Sequence, residues 1–411
     1  MQPKIYSLED HSLSADKIDQ HAFYVIHKLR EAGYEAYLVG GSVRDLLLGT
    51  KPKDYDIATS AKPEEIKAVF RNAILIGKRF RLAHVRFGKK VIEVSTFRSG
   101  DIENSVLIVR DNDWGTAEED VLRRDFTING LCYDPETQTV LDYVGGYPDL
   151  QKKILRTIGQ PETRFRQDPV RMIRLLKFHA RFGFSIDPAS TDALMKCKED
   201  IIKSSHARIL EELLRMLESG ASQPFFQFLF EYGLLDLLMP HLSSFLTRHP
   251  KEIYSYLQLV DQEIKKKEET FDRPLLLSCL LYPMLVHNVS KKVEDPKTFH
   301  LGLVSQEATD CIDAVFRPFF HLPRRMRGGM VSLLTSQFRF TPLQERLKKR
   351  MRPPKDPFFH LALRFLKLRA DLEPSLLETY SLWQQAAGKE IRPHHPPRRR
   401  RRRRHVQKDP I

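Results

Sequence analysis

One short stretch limits the folds open to this chain more than any other. Gly40-Gly41-Ser42-Val43-Arg44-Asp45 follows the apolar run Glu35 to Val39, and Asp54-Tyr55-Asp56 comes soon after it. The apolar run reads as a strand, the paired glycines as a tight turn, and Ser42 to Leu48 as the first turns of a helix. A strand, a glycine turn and a helix start let backbone N–H groups approach phosphate oxygens closely. Asp54 to Ala58 reads as a second strand, where side chains at i and i+2 leave the same face. Both carboxylates therefore point at one spot. Hard cations take oxygen ligands, and two ions about 3.5–4 Å apart can hold the attacking and leaving oxygens of a displacement in line. Two carboxylates opposite a phosphate-cradling turn suit a Mg²⁺ nucleotidyl-transfer site.

The charge balance agrees. Across 411 residues, 67 Lys and Arg outweigh 53 Asp and Glu, and the net charge of +14 points to a polyanionic partner. Cys132, Cys197, Cys279 and Cys311 are scattered without C-x-x-C pairing, so neither zinc nor a disulfide framework is indicated. Met1 to Asp10 is unlike a signal peptide, and no apolar run reaches the roughly 20 residues that span a bilayer. The expectation is a soluble, cytoplasmic protein without a membrane partner.

Along the chain, Ser14 to Ala32 has helical apolar spacing, and Pro63 to Phe70 reads as a helix with Ser60 as its N-cap. Ile74 to Gly77, then Arg79 to Phe87 and Val91 to Phe97 around a Gly88-Lys89-Lys90 turn, read as strands, the last two as a hairpin. Glu93 is a lone acid within that apolar strand. Burying it requires a cation or an ion pair with Arg or Lys. Ser99 to Glu119 reads as a long polar loop of functional type. In Asp120 to Leu131, Val121, Leu122 and Phe126 fit an apolar stripe, with Arg124 and Asp125 facing elsewhere. Leu141 to Tyr143 is a last short strand, and Gly145-Gly146 closes the domain.

From Leu150 helical periods dominate. Asp168 stands as N-cap and Pro169 at the first position of a helix on which Arg171, Arg174 and Lys177 recur along one side. By pattern alone this is a solvated basic face or a binding one. Ile209–Leu217, Pro224–Leu238, Lys251–Glu268, Pro274–Val286 and Pro357–Leu372 also read as helices. Phe225, Phe226, Phe228 and Phe230 are placed in a core. Basic clusters at 265–267, 323–327 and 346–352 can follow an RNA backbone. Residues 391–411 hold nine Arg or Lys against one Asp, a net +8. Prolines and like charges keep that tail from packing, so Arg398, Arg399, Arg400, Arg401, Arg402, Arg403 and Arg404 are expected to form a disordered, phosphate-binding arm.

Tyr37 to Gly49 and Pro52 to Thr59 resemble, almost residue for residue, the nucleotidyltransferase class that holds bacterial poly(A) polymerases and tRNA CCA-adding enzymes. Arg123 to Asn129 is similar to the second motif of that class. Gln167-Asp168-Pro169-Val170-Arg171 is similar to its base-reading Glu-Asp-x-x-Arg, with an amide replacing the leading acid. The resemblance implies an α+β fold. A nucleotidyltransferase head with a small mixed sheet (1–150) would be followed by an all-helical neck (151–215), body and tail (216–390), then the disordered arm (391–411). It implies Asp54, Asp56 and Asp125 as catalytic, and Asp54, Asp56 and Glu93 as ligands of Mg²⁺, with Mn²⁺ as a substitute. It also implies Gly40, Gly41, Ser42, Arg44, Arg124, Asn129, Asp168, Arg171 and Arg174 as ATP-binding.

Within the class, Gly77 to Val85, Arg110 to Asp120, Leu322 to Arg325, Pro357-Phe358 and Leu366 to Arg369 resemble the poly(A)-forming branch. The resemblance therefore implies a template-independent adenylyltransferase that extends RNA 3′ ends from ATP and releases pyrophosphate, with RNA-decay proteins as candidate partners. The alternatives are a CCA-adding enzyme using CTP and ATP, and a non-catalytic RNA-binding protein on the same fold. The presence of all three carboxylates with the glycine turn disfavours the last.

Overall fold

The strand that ends at the paired glycines lies near the middle of an eight-stranded sheet. The structure, a computed structural model, describes residues 2–77, 82–99, 113–267, 270–293, 300–342 and 353–390. The strands of this sheet are β1 (Lys4–Tyr6), β2 (Ala36–Val39), β3 (Asp56–Thr59), β4 (Ala73–Ile76), β5 (Leu82–Phe87), β6 (Lys90–Thr96), β7 (Leu131–Asp134) and β8 (Thr139–Asp142). They are ordered β1-β8-β7-β2-β3-β6-β5-β4. Within this sheet only β3 and β6 pair in parallel; the other neighbours are antiparallel. The sheet is mixed, as expected, but wider than the small one anticipated. β1 and β7 are too short to stand out by alternation, and pairing across the chain selects them.

Helix Gln20–Glu31 covers one face with Ala22, Val25, Ile26 and Leu29, all buried at helical spacing. Each such aliphatic side chain contributes about 1.5–3 kcal/mol if fully buried, less for Ala. On the other face, Val39, Ala58 and Cys132 pack against Ala117 and Val121 of helix Ala117–Leu122. That leaves the Asp56 and Glu93 end of the same face free for a site.

Several local expectations are corrected. The first long helix starts at Gln20 rather than Ser14, because Asp19 accepts a hydrogen bond from the His21 N–H and caps it there. Ser60 does not cap the next helix, which spans Pro63–Val69 behind Lys62; its hydroxyl instead accepts from the Glu35 N–H. The β3 ladder begins at Asp56, so Asp54 lies just before the strand. Phe126 lies beyond helix Ala117–Leu122 but is buried nonetheless. Gly145 lies in the left-handed region and Gly146 opens helix Gly146–Lys152.

The remainder is mainly helical, but the neck expected to be all-helical also holds a two-stranded parallel pair, β9 (Ile154–Leu155) with β10 (Ser185–Ile186). The segment 224–238 is two helices, Ser222–Glu231 and Leu234–Leu238, divided at Gly233 with φ +75°. Helices Pro250–Lys267, Arg273–Lys292 and Phe359–Leu372 match the periodic runs, and Pro240–Arg248, Leu301–Phe316, Arg324–Phe340 and Leu377–Glu390 are further helices. Phe225 and Phe226 are buried, and Phe228 and Phe230 pack against the same core. The four cysteines are unpaired and buried. Among the described residues no helix is long and apolar enough to cross a membrane. The Arg398–Arg404 arm, the basic cluster at 346–352, hairpin residues 78–81 and loop residues 100–112 lie outside the described residues.

Candidate active site

The turn after β2 needs glycine. Gly40 has φ +69° and ψ −131°, a region essentially closed to L side chains. A Cβ there would also lie 2.8 Å from Arg124 Nη1. The Gly40 N–H donates to the Leu131 carbonyl at 3.2 Å, and the buried Ser42 hydroxyl donates to the Val39 carbonyl at 2.8 Å. Ser42 thus braces the turn rather than facing outward. Helix Gly41–Leu47 follows, and the N–H groups of its first turn have no intrahelical acceptor.

Asp56 stands beside this turn, in register with Glu93 on the parallel neighbour. Exposed Asp54 lies two residues earlier. Burial, then Glu93 and Asp54, push the Asp56 carboxyl up to about 6, with Arg124 opposing. Among the described residues no hydrogen bond relieves it. Among the described residues Glu93 pairs with neither Arg nor Lys; its partner there is His84, at 3.4 Å. Among the described residues no three acidic, His or Cys side chains are gathered to hold a metal by themselves. Mg²⁺ is commonly held by one or two carboxylates with substrate phosphates completing the shell. Oxygen-only donors, mutual repulsion and an adjacent phosphate turn fit that mode.

Behind the turn runs a buried polar chain. Arg44 donates from Nε and Nη2 to Asp45 Oδ1 at 2.9 and 2.7 Å, and from Nη1 to Asn129 Oδ1 at 2.5 Å. Its guanidinium lies over Phe178 and Phe182, 5.2 and 4.7 Å from their centroids. Burial pulls its pKa down against the pull of Asp45. Asn129 Nδ2 donates to Asp125 Oδ1 at 3.0 Å, and Arg174 Nη2 lies 2.7 Å from Asp125 Oδ2. Burial alone would raise the Asp125 carboxyl, but Arg174, Asn129 and the Phe126 N–H hold it below the usual range. Asp125 therefore fixes Asn129 and Arg174 beside the cleft. Arg124 donates to Asp120 Oδ2 at 2.8 Å, which together with Asp56 keeps it charged despite burial.

The third element is helix Val170–Phe182. Its basic side is not solvated: Arg171 is 7 % exposed and donates to the carbonyls of Arg164 at 3.1 Å and Arg123 at 3.0 Å. Lys177 pairs with Glu212. Asp168 does not cap this helix, because both of its oxygens accept from Arg208. The amide at Gln167 accepts from buried Arg164 at 2.9 Å, and Arg164 donates in turn to the Arg124 carbonyl at 2.9 Å. Arg171 is thus held by backbone carbonyls and does not depend on an acid at position 167. Spacing pointed to none of Arg123, Arg164 and Arg208, since their partners lie up to 48 residues away. Burial, then Arg98, Arg124, Arg171 and Arg164, pull Arg123 down to about 9; burial and Arg171 bring Arg164 down to about 10. Such a cluster favours an anion.

These elements meet in a cleft of about 410 Å³ whose wall includes Gly40, Gly41, Asp56, Arg124, Asp168 and Arg171. Arg44, Asp125, Asn129 and Arg174 also reach it. Asp54, Glu93 and Ser42 lie outside its wall. A larger cleft of about 610 Å³ is lined by Lys266, Phe271 and Arg364 among others. It lacks the glycine turn and the paired carboxylates, so the smaller cleft is the candidate site.

Residues 36–156 match the family described as the poly A polymerase head domain. Residues 183–246 match a probable RNA and SrmB-binding site of polymerase A. Poly(A) polymerase I of Salmonella typhimurium strain LT2 is 37 % identical over 383 residues, covering 89 % of this chain and 81 % of the relative. The CCA-adding enzyme of Geobacillus stearothermophilus is 38 % identical over 231 residues, 55 % of each chain. Among solved structures, a CCA-adding enzyme with ATP superposes with a TM-score of 0.62 at 20 % identity, over 94 % of this chain and 87 % of that one, a likeness of fold.

Proposed function

The chain belongs to the poly(A) polymerase family, and from that premise we propose how its residues carry out template-independent addition of AMP from ATP to RNA 3′ ends. The observation that carries the reading is the shared wall of one cleft, with the glycine turn, Asp56 and the Asp168–Arg171 pair placed together.

Asp54 and Asp56, with Glu93 beside them, would hold Mg²⁺, or Mn²⁺ in its place. When bound, the ion makes the RNA 3′-hydroxyl more acidic and offsets charge on the reacting phosphate. The N–H groups after Gly40 and the guanidinium of Arg124 would take the triphosphate. Arg44 adds two N–H bonds that Asp45 and Asn129 leave unused. Asp125 and Asn129 fix Arg174 and Arg44, so the cleft is set before ATP enters and little reorganisation remains for the reaction. Asp168 as acceptor and Arg171 as donor would read the amino group and ring nitrogen of adenine. The same pair also matches cytosine, so exclusion of CTP must come from outside this motif. The head is proposed to extend to about residue 150, the neck to 215 and the body and tail to 390, with the arginine arm on RNA.

Incubation of the purified protein with generic RNA and each nucleoside triphosphate separately tests the reading. Long adenylate tails with ATP alone, and poor CTP incorporation, are expected. Addition of C, C and A to a tRNA lacking its CCA end, followed by a stop, would instead make it a CCA-adding enzyme.

A further inference from the structure

The chain has two tryptophans, and the fold treats them oppositely. Trp383 is 6 % exposed and packs on Phe340 and Phe359. Trp114 is 40 % exposed, yet its backbone is fixed. It bridges antiparallel to Arg98; the Ser99 N–H donates to the Asp113 carbonyl at 2.9 Å and the Gly115 N–H to the Phe97 carbonyl at 3.0 Å. The approach is so close that a Cβ at position 115 would lie 2.6 Å from the Ser99 nitrogen, so glycine there lets the segment close on the end of β6. A large flat side chain is thus held open to solvent on a clamped backbone.

Its place is on the RNA side of the reaction. Strands β2, β3 and β6 are neighbours, which sets the glycine turn, Asp56 and Glu93 in a row. The cleft proposed for ATP takes in the first two and stops short of Glu93. In phosphoryl transfer the attacking oxygen lies opposite the leaving one, so RNA approaches from the β6 side. Arg98 follows the end of β6, and side chains of an opposed antiparallel pair share a face. Burial lowers the pKa of Arg98, while Asp120 and Glu93 raise it, as befits a guanidinium turned towards the carboxylates. Arg98 lies roughly 16 Å beyond Glu93 along an extended strand, too far for Trp114 to serve the reacting nucleotide itself.

We infer that Trp114 is a stacking platform for single-stranded RNA, taking the face of a base upstream of the reacting 3′ end. Every base has such a face, so one indole accepts generic RNA and a growing adenylate tail alike. The inference rests on the RNA-extending reading above.

Tryptophan fluorescence tests it directly, because Trp383→Phe leaves Trp114 as the one indole. In EDTA, an oligoribonucleotide of mixed sequence should quench that emission, and ATP alone should not. Removing the base from each of the last few nucleotides in turn should abolish the quench at one upstream position. In steady-state extension, Trp114→Ala should raise KM for RNA about tenfold, the loss of one stacked base, with KM for ATP unchanged. Trp114→Phe should keep most of the affinity, and RNA abasic at the mapped position should erase the difference between Trp114→Ala and the wild type. No quench by RNA, a quench by ATP alone, or a quench indifferent to every abasic position would overturn the platform. So would a wild-type KM for RNA in Trp114→Ala, with tailing by the wild type still standing. If the wild type extends no RNA, the reading itself fails and the inference falls with it. Should Trp114→Ala not fold, the abasic scan on Trp383→Phe decides.

Discussion

Asp56 and Glu93 stand in register on the parallel neighbours β3 and β6, two carboxylates at one end of the sheet face. Burial and that neighbour lift the Asp56 carboxyl to about 6, so the pair is held in a repulsion that a divalent cation relieves. Function and metal-free stability should therefore respond in opposite directions at this position.

Replacement of Asp54 or Asp56 by Ala should abolish nucleotide addition while leaving RNA affinity largely intact. A variant retaining more than about a tenth of wild-type turnover, a loss under roughly 1.4 kcal/mol, would remove that residue from the metal site. For stability the sign reverses. Asp56 has a folded pKa above its unfolded one, so its ionised form opposes folding at neutral pH, by an amount on the order of 2–3 kcal/mol. Asp56→Asn should raise the melting temperature in EDTA at pH 7, and the gain should shrink as pH falls through about 6 towards 4.

Asn129 joins the helix after the glycine turn to the Asp125–Arg174 pair through both ends of its amide. Asn129→Ala should leave Arg44 Nη1 without that acceptor and cost about 1–3 kcal/mol of stability. Because the chain of contacts is broken, KM for ATP should rise as well. Denaturant unfolding and nucleotide titration read the two effects; an unchanged KM would separate the network from ATP binding.

Asp125 is held below the usual carboxylate range against the effect of burial. A folded pKa below the unfolded one means stability that is fully present above about pH 4 and lost as pH falls through the folded value. Asp125→Asn should therefore be less stable than the wild type at pH 7, with the gap closing towards pH 3. Thermal melts across that range check it, and a gap independent of pH would reject the assignment of the stabilisation to the charge of Asp125.

Removal of residues 391–411 should weaken RNA binding and flatten its salt dependence, with turnover at saturating RNA little changed. Each phosphate neutralised on a single strand contributes a log–log slope of about −0.7. A salt slope unaltered by truncation would take the arginine run off the RNA and point to a protein partner.

The glycine turn, the flanking strands and the helical second half were legible because their signals are local. Gly40 needs a positive φ that few other residues tolerate, and the buried stripe of helix Gln20–Glu31 repeats every three to four residues. Cap positions were less legible. Ser60 satisfies the N-cap preference in sequence, yet its hydroxyl serves the start of β2, and Asp168 satisfies it too, yet turns to Arg208.

What the sequence by itself determined was the chemistry available: a glycine turn before a helix start, carboxylates two residues apart, and a basic tail. Tertiary structure decided which of those groups are free to act. By period Arg171 reads equally as part of a solvated or of a binding face, and it becomes a fixed donor because carbonyls 7 and 48 residues away in sequence close on it. Asp125 reads as catalytic by motif, and the fold sets it between Asn129, which donates to Oδ1, and Arg174, 2.7 Å from Oδ2. Hydrogen-bond partners follow from which backbones pack side by side, and that proximity is a property of the folded chain that residue spacing does not carry.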